Sequence, residues 1–428
     1  MTKRRVLIVL IILGLMAGVL SVRSFFEADA EDPVDDQARQ LFQIMALMES
    51  FYYKPIDSEQ MLKGYVHYGN LEAMLLDLVD PYTQYLPPRM YEEMKVDTTG
   101  NFSGVGIVIT IYERQLTVVS PIAGTPGYEA GLQSGDEIMA IDGRPTKYMS
   151  MLEAVDCMRG PEGTAVQLTI QRGEEQFDVE IIRAKVESPD INEAIMVTSS
   201  VAYVRINEFK LRTAEELDAT LTKLKRQGME GLILDLRDNP GGTLGSAIDV
   251  SSMFLPAGDT VHEVFRNSDV AAMFMSRGDT KTYVSRNGER ISHGVKQDGK
   301  WCGLPVVVLI NRGSASASEI VAGALKDRAG GLLVGNTSFG KGLVQAVLEL
   351  PNGAAMRLTI AEYLTAGGVS INDKGIEPDF VVNLPEPTEE EAKALRLRRE
   401  YFSLEDMQVQ KALEVVQEML IDAIPKAS

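Results

Sequence analysis

Histidine is almost missing from this chain: His67, His262 and His293 are the only three among 428 residues. None adjoins a serine or cysteine in a recognisable setting, and no two make a His-x-x-x-His pair. A histidine-based catalytic triad or a zinc site therefore has no support, and an enzyme built from this chain must draw its base from elsewhere. Cysteine is equally scarce. Cys157 and Cys302 are too few for a disulfide framework or a four-cysteine zinc site, and are expected as buried free thiols behaving as small hydrophobes. Positive charge falls short as well, with 42 lysines and arginines against 61 acidic residues and a net charge of −19. That balance disfavours a nucleic-acid backbone or an anionic membrane surface as main partner. The chain also lacks internal repeats and low-complexity tracts.

What is present belongs to a globular protein, with 45% hydrophobic and 24% charged residues. A chain of 428 residues is too long for one ordinary core, so two or three domains are expected. Lys3, Arg4 and Arg5 precede an apolar run from Val6 to Val22 that is closed by Arg23. A basic end followed by such a run is an export signal or a membrane anchor, and this one sits at the lower limit for spanning a bilayer. Ala28-Asp29-Ala30 offers a small-x-small cleavage site beyond it. The positive-inside rule then puts the remainder outside the cytoplasm, in a periplasmic or other extracytoplasmic location.

Segments 1–30, 31–98, 99–184, 185–386 and 387–428 read differently. After the signal or anchor of 1–30, residues 31–98 are expected to be helical, with Leu41, Ile44, Met45, Leu47 and Met48 at helical spacing. Asp80-Pro81-Tyr82 and Pro87-Pro88 punctuate the end of that region. Residues 99–184 are rich in short β-runs, including Gly104 to Ile109, Leu116 to Val119, Glu137 to Ile141 and Val166 to Ile170. Residues 185–386 alternate strands and helices: strands at Val201–Ile206, Gly231–Leu236, Pro305–Ile310, Leu332–Gly335 and Met356–Tyr363, helices at Thr213–Gln227, from about Thr243, and at Ser316–Asp327. That alternation argues an α/β domain with a central sheet. The tail 387–428 is charged and helical, opening on Thr388 and three glutamates.

Three loops in the α/β region carry residue types suited to chemistry. Asn311-Arg312-Gly313-Ser314-Ala315-Ser316-Ala317-Ser318-Glu319 follows a buried strand and opens a helix, whose first N–H groups can face a developing oxyanion. Part of it also fits a serine-x-x-glutamate capping box, and spacing alone does not choose among the three serines. Phe339-Gly340-Lys341-Gly342-Leu343-Val344-Gln345 offers a lysine. To act as a base near pH 7 its pKa must fall about three units from ~10.4, which costs roughly 4 kcal/mol. Phe339, Leu343 and Val344 are the apolar neighbours expected to desolvate it. A phosphate loop is excluded because Gly342, not serine or threonine, follows the lysine. The third loop, Asp235-Leu236-Arg237-Asp238-Asn239-Pro240-Gly241-Gly242, can present backbone N–H groups as part of an oxyanion hole.

Together these segments resemble the carboxyl-terminal processing proteases, a PDZ-containing family of serine–lysine peptidases, over residues 35–385. Family members carry a small-residue serine loop, a lysine 25 positions on and a glutamine four further, which here selects Ser316, Lys341 and Gln345. The resemblance implies Ser316 as nucleophile, neutral Lys341 as general base, and Gln345 as the group that orients the lysine if the segment is helical. It assigns the oxyanion to the N–H of Ala317 and that of Gly241 or Gly242. The β-rich module looks like a PDZ domain, with Phe102, Gly104, Val105, Gly106 and Ile107 at the carboxylate-binding loop that receives a chain terminus. Ser103 stands there where a second glycine is common. Arg159 is the residue the resemblance suggests for coupling peptide occupancy to the protease.

The implied fold is an α/β protease core, a mixed sheet with helices. It carries an inserted PDZ domain, a β-rich partial barrel, and helical N- and C-terminal segments. The implied function is a serine endopeptidase of the cell envelope that recruits polypeptide C-terminal tails, with no cofactor and no metal. The terminal helices are expected to make a homo-oligomer contact, and an activator or adaptor protein is a further partner class. Two rival readings are a membrane-anchored PDZ adaptor with a catalytically silent protease-like domain, and a hydrolase of small acyl substrates.

Overall fold

The computed structural model describes residues 33–69, 71, 74, 75, 79–99, 101–112, 115–122, 125–133, 135–149, 151–187, 190–275, 282–385 and 402–422. Residues 1–30, expected to be a signal or anchor, and the start of the tail at 387–401 lie outside the described residues. No helix among the described residues is long and apolar enough to cross a membrane. The chain divides into two units, Met1–Val79 and Asp80–Ser428. In the first, helices α1 (Pro33–Phe51) and α2 (Ser58–Tyr68) are amphipathic, burying Leu41, Ile44, Met45, Met48 and Met61. Asp57 caps α2 by accepting the Glu59 N–H, and Gly69 ends it in a left-handed conformation.

The second unit opens with a departure from the helical reading of 31–98. Pro81 cannot continue a helix, and the Asp80 carboxylate folds the chain back on itself. It accepts the N–H groups of Tyr82 (2.9 Å) and Thr83 (3.1 Å) and the Thr83 hydroxyl (2.8 Å). The turn delivers a short strand, β1 (Gln84–Leu86), and then helix α3 (Pro88–Thr99). Strand β1 pairs antiparallel with residues more than 250 positions away, Gln84 opposite Arg357.

The inserted module begins at β2 (Asn101–Gly104) and ends at β9 (Ala184–Glu187), which pair with each other antiparallel. Between them β3 (Ile107–Tyr112), β4 (Gln115–Pro121), β5 (Glu137–Ile141), β7 (Ala165–Arg172) and β8 (Glu175–Ile182) form one sheet in that order, with the two-residue β6 (Arg144–Pro145) on β5. Their inward residues, among them Val118, Ile138, Ile141, Leu168 and Ile170, make the module's own core together with Ala154 and Met158 of helix α4 (Met151–Met158). The run from Gly104 to Ile109 is not one strand, because Gly106 turns the chain with φ +76. A Cβ there would lie 2.3 Å from the Thr125 side chain, so only glycine fits.

The α/β domain holds two sheets. The central one runs β10 (Ile191–Met196), β11 (Val201–Ile206), β12 (Gly231–Asp235), β16 (Val306–Ile310), β17 (Leu332–Gly335) and β20 (Phe380–Val381). Only β10 is antiparallel to its neighbour; the rest are parallel. Every residue of β11, β12 and β16 is buried, as expected of a parallel sheet covered on both faces. One face packs against helices α5 (Thr213–Arg226), α6 (Leu244–Ser252) and α7 (Ala317–Arg328). The other is covered by α8 (Met407–Asp422), through Val409, Ala412, Val415 and Val416. The C-terminal helix expected at a homo-oligomer contact thus also packs one face on this chain's own sheet.

The second sheet, of order β1, β19 (Ala355–Leu364), β13 (Gly258–Phe265), β15 (Arg290–Val295) and β14 (Thr282–Asn287), also takes β18 (Leu343–Glu349) on β19. The sequence reading anticipated little of it beyond β19. His262 and His293 sit here as structural residues, bonded to Ser292 Oγ (2.8 Å) and Glu263 (2.6 Å). Both cysteines are free, but the expectation of burial fails: Cys302 is exposed and Cys157 half-buried.

A buried ionic cluster closes the central sheet. Asp235, fully buried, accepts from Arg237 Nη2 (2.6 Å), Arg205 Nη1 (3.2 Å) and the Tyr203 hydroxyl (2.7 Å). Burial pushes its carboxyl up, but the two guanidinium groups outweigh that and hold it below the ordinary carboxylate range. Arg237 also reaches Asp406 (2.6 Å) and Gln408 (3.0 Å) at the start of α8. Replacing Arg237 by alanine leaves Asp235 with Arg205 as its one remaining guanidinium partner and Asp406 without its bond to Arg237, and is expected to cost about 3–5 kcal/mol. Urea unfolding checks this, with the midpoint falling and the slope unchanged.

Candidate active site

The loop from β16 into α7 is sewn to the loop after β12. Asn311 exchanges hydrogen bonds with Asp238, accepting its N–H (2.9 Å) and donating Nδ2 to its carboxylate (2.8 Å). Two of the three serines serve this seam. Ser314 donates to the Leu236 carbonyl (2.7 Å) and Ser318 to the Asn239 carbonyl (2.9 Å), and both are fully buried. Ser316 differs. It is half-buried, and its backbone is held at φ +53, ψ −112, a strained region for a residue with a Cβ. The strain persists because its neighbours fix it. The Glu319 carboxylate accepts its N–H (2.8 Å), and the Tyr363 hydroxyl donates to its carbonyl (3.2 Å).

Gly241 brings the second loop against this turn. A Cβ on it would stand 2.8 Å from Ser316 Cβ and 2.9 Å from Ala317 N, so no other residue allows the approach. Among the described residues, the N–H groups of Ala317 and Gly242 meet no acceptor, whereas that of Gly241 is donated to Asn239 Oδ1 (2.9 Å).

Lys341 lies in the loop between β17 and β18. The carboxylate that holds Ser316 holds this loop too. Glu319 accepts the Gly340 N–H (2.7 Å), the Lys341 N–H (2.9 Å) and the Ser338 hydroxyl (2.6 Å). Burial raises the Glu319 pKa, while these four bonds oppose the rise. Glu319 therefore does more than the helix cap read from its spacing: it joins the two candidate catalytic loops.

The Lys341 amine is half-buried, and its pKa is lowered below 10.5, first by burial and next by Arg357, against the opposite pull of Asp80 and Glu319. Of the three neighbours expected to supply that burial, Phe339 is 56% exposed, Leu343 is buried and Val344 packs into the main core. The group facing the amine is Tyr82, whose ring centroid is 4.4 Å from Nζ. The sequence reading treated Asp80-Pro81-Tyr82 as punctuation only, and no local signal ties it to Lys341.

Gln345 lies on strand β18, so the helical relation to Lys341 does not hold. Its amide donates to Thr359 Oγ1 (3.3 Å), which in turn donates to Asp80 Oδ1 (2.9 Å), placing it in the polar network beside the lysine. In the inserted module, the N–H groups of Val105 and Gly106 meet no acceptor among the described residues, while the Val105 carbonyl is tied to the Gly127 N–H (2.7 Å). Gly104 ends β2, Phe102 lies within it and Ile107 begins β3. Arg159 follows α4, its N–H closing the last turn on Val155 (2.8 Å). Among the described residues no group of histidine, cysteine and acidic side chains could hold a metal ion.

This arrangement, a strained serine at a strand-to-helix turn in a domain that carries an inserted β-rich module, is that of the PDZ-bearing serine peptidases. Comparison with known proteins agrees. Residues 200–382 match Peptidase family S41 and residues 117–172 match the PDZ domain. A carboxyl-terminal-processing protease of Synechocystis is 36% identical over 378 residues, 86% of this chain and 80% of that one. A carboxy-terminal-processing protease of Bartonella bacilliformis is 37% identical over 327 residues, 74% of this chain and 69% of that one. A putative S41 protease from Bacteroides fragilis shares the fold, with a TM-score of 0.54 at 17% identity, covering 88% of this chain and 97% of that one. The chain belongs to the carboxyl-terminal processing protease family of S41 serine peptidases.

Glu319→Ala would leave three N–H groups without their acceptor. Hydrogen exchange is expected to accelerate at the amides of Ser316, Gly340 and Lys341 while those of α8 keep wild-type protection.

Proposed function

We propose that the chain is an endopeptidase in which Ser316 and Lys341 form the catalytic pair, and that its PDZ module captures the C-terminal tails of polypeptide substrates. The observation that carries this reading is the single buried carboxylate of Glu319 bonded to the backbone of both residues, beside an amine biased towards its neutral form. Ser316 Oγ attacks the peptide carbonyl carbon while the neutral Lys341 amine takes its proton. The oxyanion forms against the N–H groups of Ala317 and Gly242, the two left free; the Gly241 N–H is engaged by Asn239. Collapse breaks the C–N bond, and the Lys341 ammonium returns the proton to the leaving amine. Water, deprotonated by the same lysine, then releases the acyl group from Ser316. Gln345 holds the base site through Thr359 and Asp80 rather than by direct helical contact.

In the PDZ module a terminal carboxylate fits the free N–H groups of Val105 and Gly106, and the peptide adds as a strand beside β3. The apolar run after Lys3, Arg4 and Arg5 supports export, with the peptidase acting in the cell envelope.

With the full chain and an unfolded protein as substrate, Ser316→Ala is expected to abolish cleavage and Lys341→Ala to lower kcat by about 10²–10⁴-fold. Both should keep the wild-type circular dichroism. Cleavage surviving in folded Ser316→Ala would sink the reading, and a wild type that binds tails without cutting would favour the silent adaptor. Because the base works only when neutral, wild-type kcat/KM should rise with pH through a limb whose midpoint lies below the ordinary lysine value of 10.5. Peptides with a free apolar C-terminus should bind about tenfold or more tightly than their amides, as read by fluorescence anisotropy.

A further inference from the structure

The catalytic pair leaves one feature of the site unexplained. Two carboxylates, Asp80 and Glu319, lie close enough to Lys341 to favour its ammonium form, and the Arg357 guanidinium opposes them. Burial opposes that pull, and of the apolar neighbours in the lysine's own loop Phe339 is largely exposed and Val344 packs into the main core.

We propose that the Asp80–Gln84 turn is part of the active site, and that Tyr82 is the positioning residue whose ring shields the Lys341 amine. This rests on the serine–lysine reading above and adds to it a wall supplied from more than 250 positions away in the chain. The ring face stands 4.4 Å from Nζ. Its mounting is made entirely by the main chain. The Tyr82 N–H goes to Asp80 Oδ1 (2.9 Å), and the Tyr82 carbonyl accepts from Arg357 Nε (3.1 Å). Arg357 Nη2 holds Gln84 Oε1 (2.7 Å), in register with the pairing of β1 and β19. Asp80 is fixed in turn by Thr83 and Thr359, and Thr359 N–H donates to Thr83 Oγ1 (3.1 Å). None of these bonds uses the Tyr82 side chain, so the turn stands without it and the ring is left to face the lysine.

The phenol is no rival base. Burial and the carboxylates of Asp373, Asp80 and Glu319 raise its pKa above 10, so it stays protonated through the neutral range. A ring face acts on a nearby amine in two opposite senses: it attracts an ammonium and it excludes water. Burial is the foremost cause of the lowered Lys341 pKa, and the Tyr82 ring stands against the amine on one side.

The test is the pH–rate profile of kcat/KM, and of Ser316 labelling by a fluorophosphonate, for full-length wild type, Tyr82→Phe, Tyr82→Leu, Tyr82→Ala and Lys341→Ala. Tyr82→Phe should match wild type. Tyr82→Ala should displace the acid limb upward by about one pH unit, giving roughly tenfold loss near neutrality that is recovered at high pH. Tyr82→Leu, which preserves apolar bulk if alanine fails to fold, should shift the limb less. A loss equal at every pH, or a limb that moves down, overturns the proposal. If Lys341→Ala keeps the wild-type limb, the serine–lysine reading itself falls and takes this inference with it.

Discussion

The carboxylate of Glu319 is the constraint on which the catalytic half of the structure rests. It is fully buried, and it accepts four hydrogen bonds, from the N–H groups of Ser316, Gly340 and Lys341 and from Ser338 Oγ. A buried carboxylate with fewer partners would be a large penalty, and three N–H groups without an acceptor would be another. Each side therefore needs the other. The serine turn is a strained strand-to-helix junction, and the lysine loop is a glycine-flanked connection held on its other side by the Ser338 N–H to the Ile376 carbonyl (3.1 Å). The Glu319 carboxylate joins the two, and the Phe339 N–H to the Ser314 carbonyl (2.9 Å) adds a direct backbone bond between them.

The base site follows the same logic with the signs reversed. The carboxylate that organises the loops also pulls the lysine towards its charged form, and Asp80 adds to that pull. Burial and the Arg357 guanidinium counter it. Arg357 is itself part of the mounting of the Asp80–Gln84 turn, so the residue that repels the ammonium also positions the ring beside it. Structural support and electrostatic tuning are carried by the same side chain.

Much of this site was legible in the chain, for a physical reason. A nucleophile at a helix start needs small residues around it, and a loop that approaches it needs glycine. Ser314 to Ser318 and Gly241-Gly242 therefore stand out locally. The family spacing then separates Ser316 from its neighbours, and the backbone separates it again, since Ser314 and Ser318 have their hydroxyls engaged. Strands β11, β12 and β16 were equally plain, because burial on both faces leaves unbroken apolar runs. The second sheet was not. Its strands mix buried and polar positions, with Asp259, His262 and Glu263 in β13 and Arg290 and His293 in β15. Tyr82 was unreadable as a site residue because its only tie to Lys341 is a contact between distant parts of the chain. Phe339 misled in the opposite direction, being apolar and adjacent yet exposed.

The placement of that distant wall has a consequence for how the two halves of the molecule are joined. The Asp80–Leu86 segment leads directly into α3, and α3 leads into β2, the first strand of the PDZ module. At its start α3 is fastened to the far end of β18, where Tyr91 donates to Glu349 (2.5 Å). Strand β18 carries Gln345, and the lysine loop precedes it. The turn that carries Tyr82, the strand that carries Gln345 and the root of the PDZ module thus share one continuous frame. The turn that faces the Lys341 amine is set by the sheet on one side and, through twelve residues of helix, adjoins the PDZ module on the other.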